Sequence, residues 1–195
     1  MNSHNIKISK TSNTIGAVIK GVKLNEELSK DTIHEIYNAF LKYQVIFFKN
    51  QNLTKNEYLS FAKKIGKPIK YPFVKGIKNI PEITPILKKE TDINNFGGIW
   101  HSDTSYLNEP PKGTMLYAIE VPKIGGDTEF SNQYIAYESL SDEMKAFLDN
   151  KKALNISGKE ETTKTRSDLR KHSSTEIKSD ALEAIHPVVR IHPET

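Results

Sequence analysis

Trp100-His101-Ser102-Asp103 sets an imidazole and a carboxylate two residues apart, in a segment that opens with Gly97-Gly98 and runs toward Pro110-Pro111. On extended backbone alternate side chains share a face, so His101 and Asp103 converge while Trp100 and Ser102 turn to the other side. Trp100 is therefore expected in the core. The pair supplies two adjacent corners of a 2-His-1-carboxylate triad, which leaves three positions open on a non-haem ferrous ion. Open positions are what oxygen chemistry requires. Two other readings fit the same residues: a surface hydrogen-bonded pair, and a metal-activated water in a hydrolase. The hydrolase reading lacks a nearby third ligand and a candidate base.

The remaining composition narrows the chemistry. The chain has no cysteine, which excludes thiolate zinc sites, Cys-ligated iron–sulfur clusters, a disulfide scaffold and a cysteine nucleophile. Of the six histidines, His172 falls in a charged stretch, His186 and His192 in the closing strand, His34 on the solvent side of a helix, and His4 near the N-terminus. None of these five is expected to ligate a metal. A length of 195 residues suits one domain spanning 1–195, able to fold without a staple, so a metal here would serve chemistry. The net charge of +4 is dispersed, and the densest stretch, Lys151 to Lys178, interleaves Glu160, Glu161, Asp168 and Glu176 with its basic residues. That pattern reads as a solvated face rather than a nucleic-acid surface. MNSHNIKISK carries no apolar leader segment, and no stretch approaches the roughly 18 apolar residues of a membrane span. A cytoplasmic protein is expected, with neither nucleic acid nor membrane as partner and homo-oligomerisation left open.

Several elements must position the pair. Ile6 to Val22 reads as two short strands and a turn. Ile33, Ile36, Tyr37, Phe40 and Leu41 fall on one stripe of an amphipathic helix, followed by Val45-Ile46-Phe47-Phe48 as a strand buried on both faces. Thr54 with Glu57 three residues on is a capping box, and Tyr58, Phe61, Ala62 and Ile65 line the helix it starts. Prolines at 68, 72, 81 and 85 predict a long loop from Lys67 to Phe96 with one strand near Ile83 to Leu87. Thr114 to Ile119 and Asp127 to Phe130 predict a hairpin through Gly125-Gly126, and Ser141 caps a helix with Met144, Phe147 and Leu148 on one face. A closing strand is expected over 186–193.

Four blocks occur in a telling order: Trp100-His101-Ser102-Asp103, Gly125-Gly126-Asp127-Thr128, Ala136-Tyr137-Glu138-Ser139-Leu140, and His186-Pro187-Val188-Val189-Arg190-Ile191-His192-Pro193. From about Ile15 to Thr195 the chain resembles the taurine and 2,4-dichlorophenoxyacetate dioxygenase family (TauD/TfdA). The resemblance implies an α+β fold, a double-stranded β-helix (jelly roll, cupin-like) with helices packed on one side. It also implies an Fe(II)-dependent oxygenase that uses 2-oxoglutarate and O2 as cosubstrates and hydroxylates a small, acidic organic molecule, releasing succinate and CO2. His101 and Asp103 match the first two iron ligands, and Thr128 matches a threonine that hydrogen-bonds a 2-oxoglutarate carboxylate. Taurine-specific members carry a His and an Asn where this chain has Tyr71 and Gly97, the two expected substrate-binding positions. Those exchanges speak against taurine: a phenol donates one hydrogen bond and glycine only its backbone N–H. A packing role for Tyr71 fits equally.

The resemblance also exposes a gap. The family's second iron-ligating His and the Arg that clamps 2-oxoglutarate have no counterpart among the 195 residues, so the chain resembles the N-terminal part of such an enzyme, with an incomplete jelly roll. This implies a chain inactive by itself, of low solubility, and as the alternative a non-catalytic module that binds a small acid or regulates.

Overall fold

The computed structural model describes residues 6–168 and 182–195. These fall into two compact units, one of Met1–Lys67, Leu116–Asp149 and Ile191–Thr195, the other of Pro68–Met115 and Asn150–Arg190.

The first unit is built on local signals. Strands β1 (Lys7–Lys10) and β2 (Ala17–Lys20) pair antiparallel, and β3 (Ile46–Phe48) joins β2 in parallel. A parallel neighbour requires a crossover, and helix α1 (Lys30–Tyr43) supplies it. Ser29 caps α1 by accepting from the Thr32 backbone N–H, and its stripe buries Ile36 and Ala39 in a core that includes Ala17, Ile19 and Phe61. Helix α2 (Lys55–Ile65) begins with the full capping box, Glu57 reaching back to the Thr54 N–H at 2.7 Å. That bonding and the Thr54 hydroxyl hold the Glu57 carboxyl below its ordinary range. Phe61 meets Phe48 edge to face at 5.7 Å, and Tyr58 stacks on Tyr117. Burial pushes the Tyr58 phenol up to about 12. Helices α3 (Gln133–Glu138) and α4 (Asp142–Leu148) complete the unit, capped by Asn132 and Ser141.

The second unit holds a two-stranded antiparallel sheet, β4 (Lys152–Ile156) with β5 (Glu183–Pro187), and helix α5 (Glu160–Thr165). Ser157 ties the two strands: its N–H donates to Leu182 O and its hydroxyl accepts from the Leu182 N–H. Among the described residues no helix is long and apolar enough to cross a membrane.

Several expectations need correction. The strand at 45–48 is not buried on both faces; Phe47 is 40% exposed because β3 is an edge strand among the described residues. Neither 114–119 nor 127–130 joins a ladder, although Gly125 and Gly126 adopt the positive φ of a turn. Leu116, Ile119 and Phe130 stay exposed there, and a strand without a neighbour has nowhere to direct its backbone donors. Nor does 83–87 form a strand. Met144 and Phe147 are exposed on α4. The charged stretch from Lys151 contains β4 and α5 and buries Arg166 and Asp168, so it is no uniformly solvated face. The closing strand spans Glu183–Pro187 rather than 186–193, and 188–193, with His192, belongs to no strand. His4, His172 and the part of the charged stretch at 169–178 lie outside the described residues.

Candidate metal centre

His101 and Asp103 converge as their spacing predicts, although 99–102 belongs to no strand. His101 Nε2 stands 3.1 Å from Asp103 Oδ1, with both side chains about half exposed. The chain turns immediately after Asp103, with Thr104 at φ +50° and the Leu107 N–H donating to Thr104 O. A β-branched residue in that region is strained, and the Thr104 hydroxyl is buried with no hydrogen-bond partner among the described residues.

Two further contacts decide which atoms face each other. His101 Nδ1 lies 2.6 Å from the Ile99 carbonyl oxygen, an acceptor, so Nδ1 carries a proton and Nε2 is the ring nitrogen that faces Asp103. Thr114 Oγ1 donates to Asp103 Oδ2, which leaves Oδ1 turned toward the ring. Donor atoms on neighbouring corners of an octahedral ion, with bonds of about 2.1 Å, stand about 3.0 Å apart. The residues present therefore fit two cis ligands of a divalent ion, each with the supporting hydrogen bond that such ligands need. No third His, Asp or Glu joins them in a metal-ligating group among the described residues.

The other expected positions resolve as follows. Gly97 is at φ +71°, and a β-carbon there would come within 3.3 Å of His101 Cε1, so it leaves room for the ring. Tyr71, half-buried, makes edge contacts with Phe73 and Phe96, so packing is its visible role. Phe73 in turn meets Tyr106 at 5.3 Å. Burial pushes the Tyr106 phenol far up, the neighbouring Tyr71 adds to this, and Arg166 opposes it. Thr128 is exposed, in an irregular segment of the first unit. Trp100 is 69% exposed and not in the core, because its segment pairs with no strand whose far side could cover it. His34 is exposed on α1, and His186 Nε2 lies 2.9 Å from Leu107 O, a structural contact. Sequence reasoning missed Thr114 and Arg166, since nothing local marks a partner that arrives from another loop.

Residues 7–195 match the family described as taurine catabolism dioxygenase TauD, TfdA. The chain is 30% identical over 195 residues to an alkylsulfatase of Acinetobacter baylyi, covering 97% of this chain and 60% of that protein. It is likewise 30% identical over 185 residues to an alpha-ketoglutarate-dependent sulfate ester dioxygenase of Pseudomonas putida, covering 92% and 60%. Among solved structures, a taurine dioxygenase from Burkholderia xenovorans superimposes with a TM-score of 0.71 at 27% identity, over 97% of this chain and 60% of that one. The chain thus spans 60% of the length of these two relatives.

Proposed function

Because the chain belongs to the taurine catabolism dioxygenase TauD, TfdA family, we propose that it is the iron-binding part of a 2-oxoglutarate-dependent oxygenase acting on a small organic sulfate or sulfonate other than taurine. The carrying observation is the 3.1 Å approach of His101 Nε2 to Asp103 Oδ1, with Nδ1 committed to Ile99 and Oδ2 to Thr114. His101 and Asp103 would hold Fe(II), and the ion with 2-oxoglutarate and O2 would supply oxidation of a substrate C–H bond with release of succinate and CO2. The chain's own residues orient. Ile99 O fixes the imidazole tautomer, Thr114 fixes the carboxylate rotamer, and Gly97 keeps the ring's edge clear. Thr128, exposed and within the Gly125-Gly126-Asp127-Thr128 block, would hydrogen-bond a 2-oxoglutarate carboxylate. The proposed architecture is a single jelly-roll domain of a cytoplasmic enzyme that engages neither nucleic acid nor membrane. Sulfur oxyanions as the substrate class are supported by the relatives' names, and the Tyr71 and Gly97 exchanges bear only on the exclusion of taurine.

Anaerobic calorimetry with Fe(II) tests this. The expected result is binding that His101→Ala and Asp103→Ala each abolish and that 2-oxoglutarate strengthens. Equal affinity in all three proteins overturns it. A second reading, a small-acid-binding module without turnover, is favoured by the pair's lack of a third ligand among the described residues. Its mark is a thermal shift with 2-oxoglutarate that neither Fe(II) nor His101→Ala alters.

A further inference from the structure

Arg166 is 4% exposed, and its guanidinium lies over the Phe73 ring with Cζ 4.4 Å from the centroid. Among the described residues one of its five N–H donors is spent, Nη1 on Ser157 O at 3.0 Å. Among the described residues it forms no ion pair with a carboxylate. Asp168, two residues on and equally buried, is turned to Asn94, whose backbone and side-chain N–H groups both donate to Oδ2. A cation this deep with a single neutral acceptor is costly, since buried charge ordinarily finds an opposite charge.

The surroundings indicate what that charge is for. Phe73, beneath Arg166, touches both Tyr71 and Tyr106. Tyr106 lies in the turn that follows Asp103. Ring contacts therefore run from the guanidinium through Phe73 to Tyr106, in the turn that follows Asp103, all within one unit, and half-buried Tyr71 puts the edge of this aromatic group at solvent. A planar guanidinium with donors to spare among the described residues matches an oxyanion, which it can grip with two parallel bonds.

On the proposed oxygenase reading, we infer that Arg166 is a specificity residue that receives the sulfate or sulfonate head of the substrate, with the Tyr71–Phe73–Tyr106 wall flanking the organic part. The guanidinium binds the head, and the wall orients the carbon chain toward the ion held by His101 and Asp103.

The test measures dissociation constants of the intact chain for hexyl sulfate, hexan-1-ol, 2-oxoglutarate and Fe(II), in the wild type, Arg166→Gln and Arg166→Lys. Arg166→Gln is expected to weaken hexyl sulfate about tenfold to a hundredfold, the range of a charge-assisted contact, with hexan-1-ol, 2-oxoglutarate and Fe(II) unchanged. Arg166→Lys keeps the charge without the fork and guards against loss of folding in the glutamine variant; about a threefold to tenfold loss for hexyl sulfate alone is expected. A purely structural arginine would instead lower hexyl sulfate and hexan-1-ol together, which overturns the assignment. So does wild-type affinity for hexyl sulfate in either variant, no hexyl sulfate binding by the wild type, or a loss confined to 2-oxoglutarate. Failure of the oxygenase reading is distinct: Fe(II) binding indifferent to His101, whatever Arg166 does.

Discussion

A β-carbon placed on Gly97 would stand 3.3 Å from Cε1 of His101, so the imidazole edge rests where only glycine leaves space. The contact is tight enough that the ring, or the loop, must give. Gly97 is also at φ +71°, which costs an L-residue about 1–2 kcal/mol. Gly97→Ala is therefore expected to lower stability by about that amount and to weaken Fe(II) severalfold by rotating Nε2 away from Asp103. Urea unfolding and metal titration check the two effects separately. An alanine variant that binds metal as tightly as the wild type would show that the ring position does not depend on residue 97.

Thr114 acts on the metal pair without being a ligand. Removing its hydroxyl with Thr114→Val frees Asp103 to rotate, and losses of about tenfold to a hundredfold in metal affinity follow from such supporting contacts. Thr114→Ser should restore most of it, whereas equal affinity in all three proteins assigns Thr114 no role.

Strain at Thr104 gives the opposite sign. Its φ of +50° and its unpartnered buried hydroxyl both oppose folding, so Thr104→Gly is expected to raise stability by up to about 1 kcal/mol. A lower midpoint in urea would mean that the hydroxyl or methyl contributes more than the backbone costs.

Tyr58 sets an alkaline limit. Burial raises its phenol from the ordinary 10.0 to about 12 in the folded chain, so the unfolded chain releases that proton first as pH rises. Its contribution is complete below pH 10 and is lost progressively between about 10 and 12. Unfolding free energies across that window should fall less steeply in Tyr58→Phe, and identical slopes would remove Tyr58 as the cause.

The β4–β5 sheet turns an apolar face outward. Leu154 and Ile185 are cross-strand partners, 51% and 64% exposed. Such a face promotes association, so Leu154→Lys with Ile185→Glu should raise the concentration at which light scattering appears. If the double variant scatters at the wild-type concentration, the exposed sheet is not what limits solubility.

Much of the first unit was legible because its signals are local. The Thr54–Glu57 box, the Ser29 cap and the α1 stripe each lie within a few residues, and the helices formed where they pointed. Residues 114–119 and 127–130 read equally clearly as strands yet joined no ladder, since alternation describes a side-chain pattern and cannot supply a neighbouring backbone. Trp100 failed for the same reason: alternation assigned it a face, but nothing arrived to cover it.

By itself the sequence determined the convergence of His101 and Asp103, because a spacing of two on extended chain leaves little choice of side. Tertiary structure alone decided the imidazole's tautomer, through Ile99 O, the aim of the carboxylate, through Thr114, and the burial of Arg166 on Phe73 inside a stretch that reads as solvent-facing. Those three depend on how a loop bends or on groups brought together from distant parts of the chain, and periodicity along a chain carries no record of either.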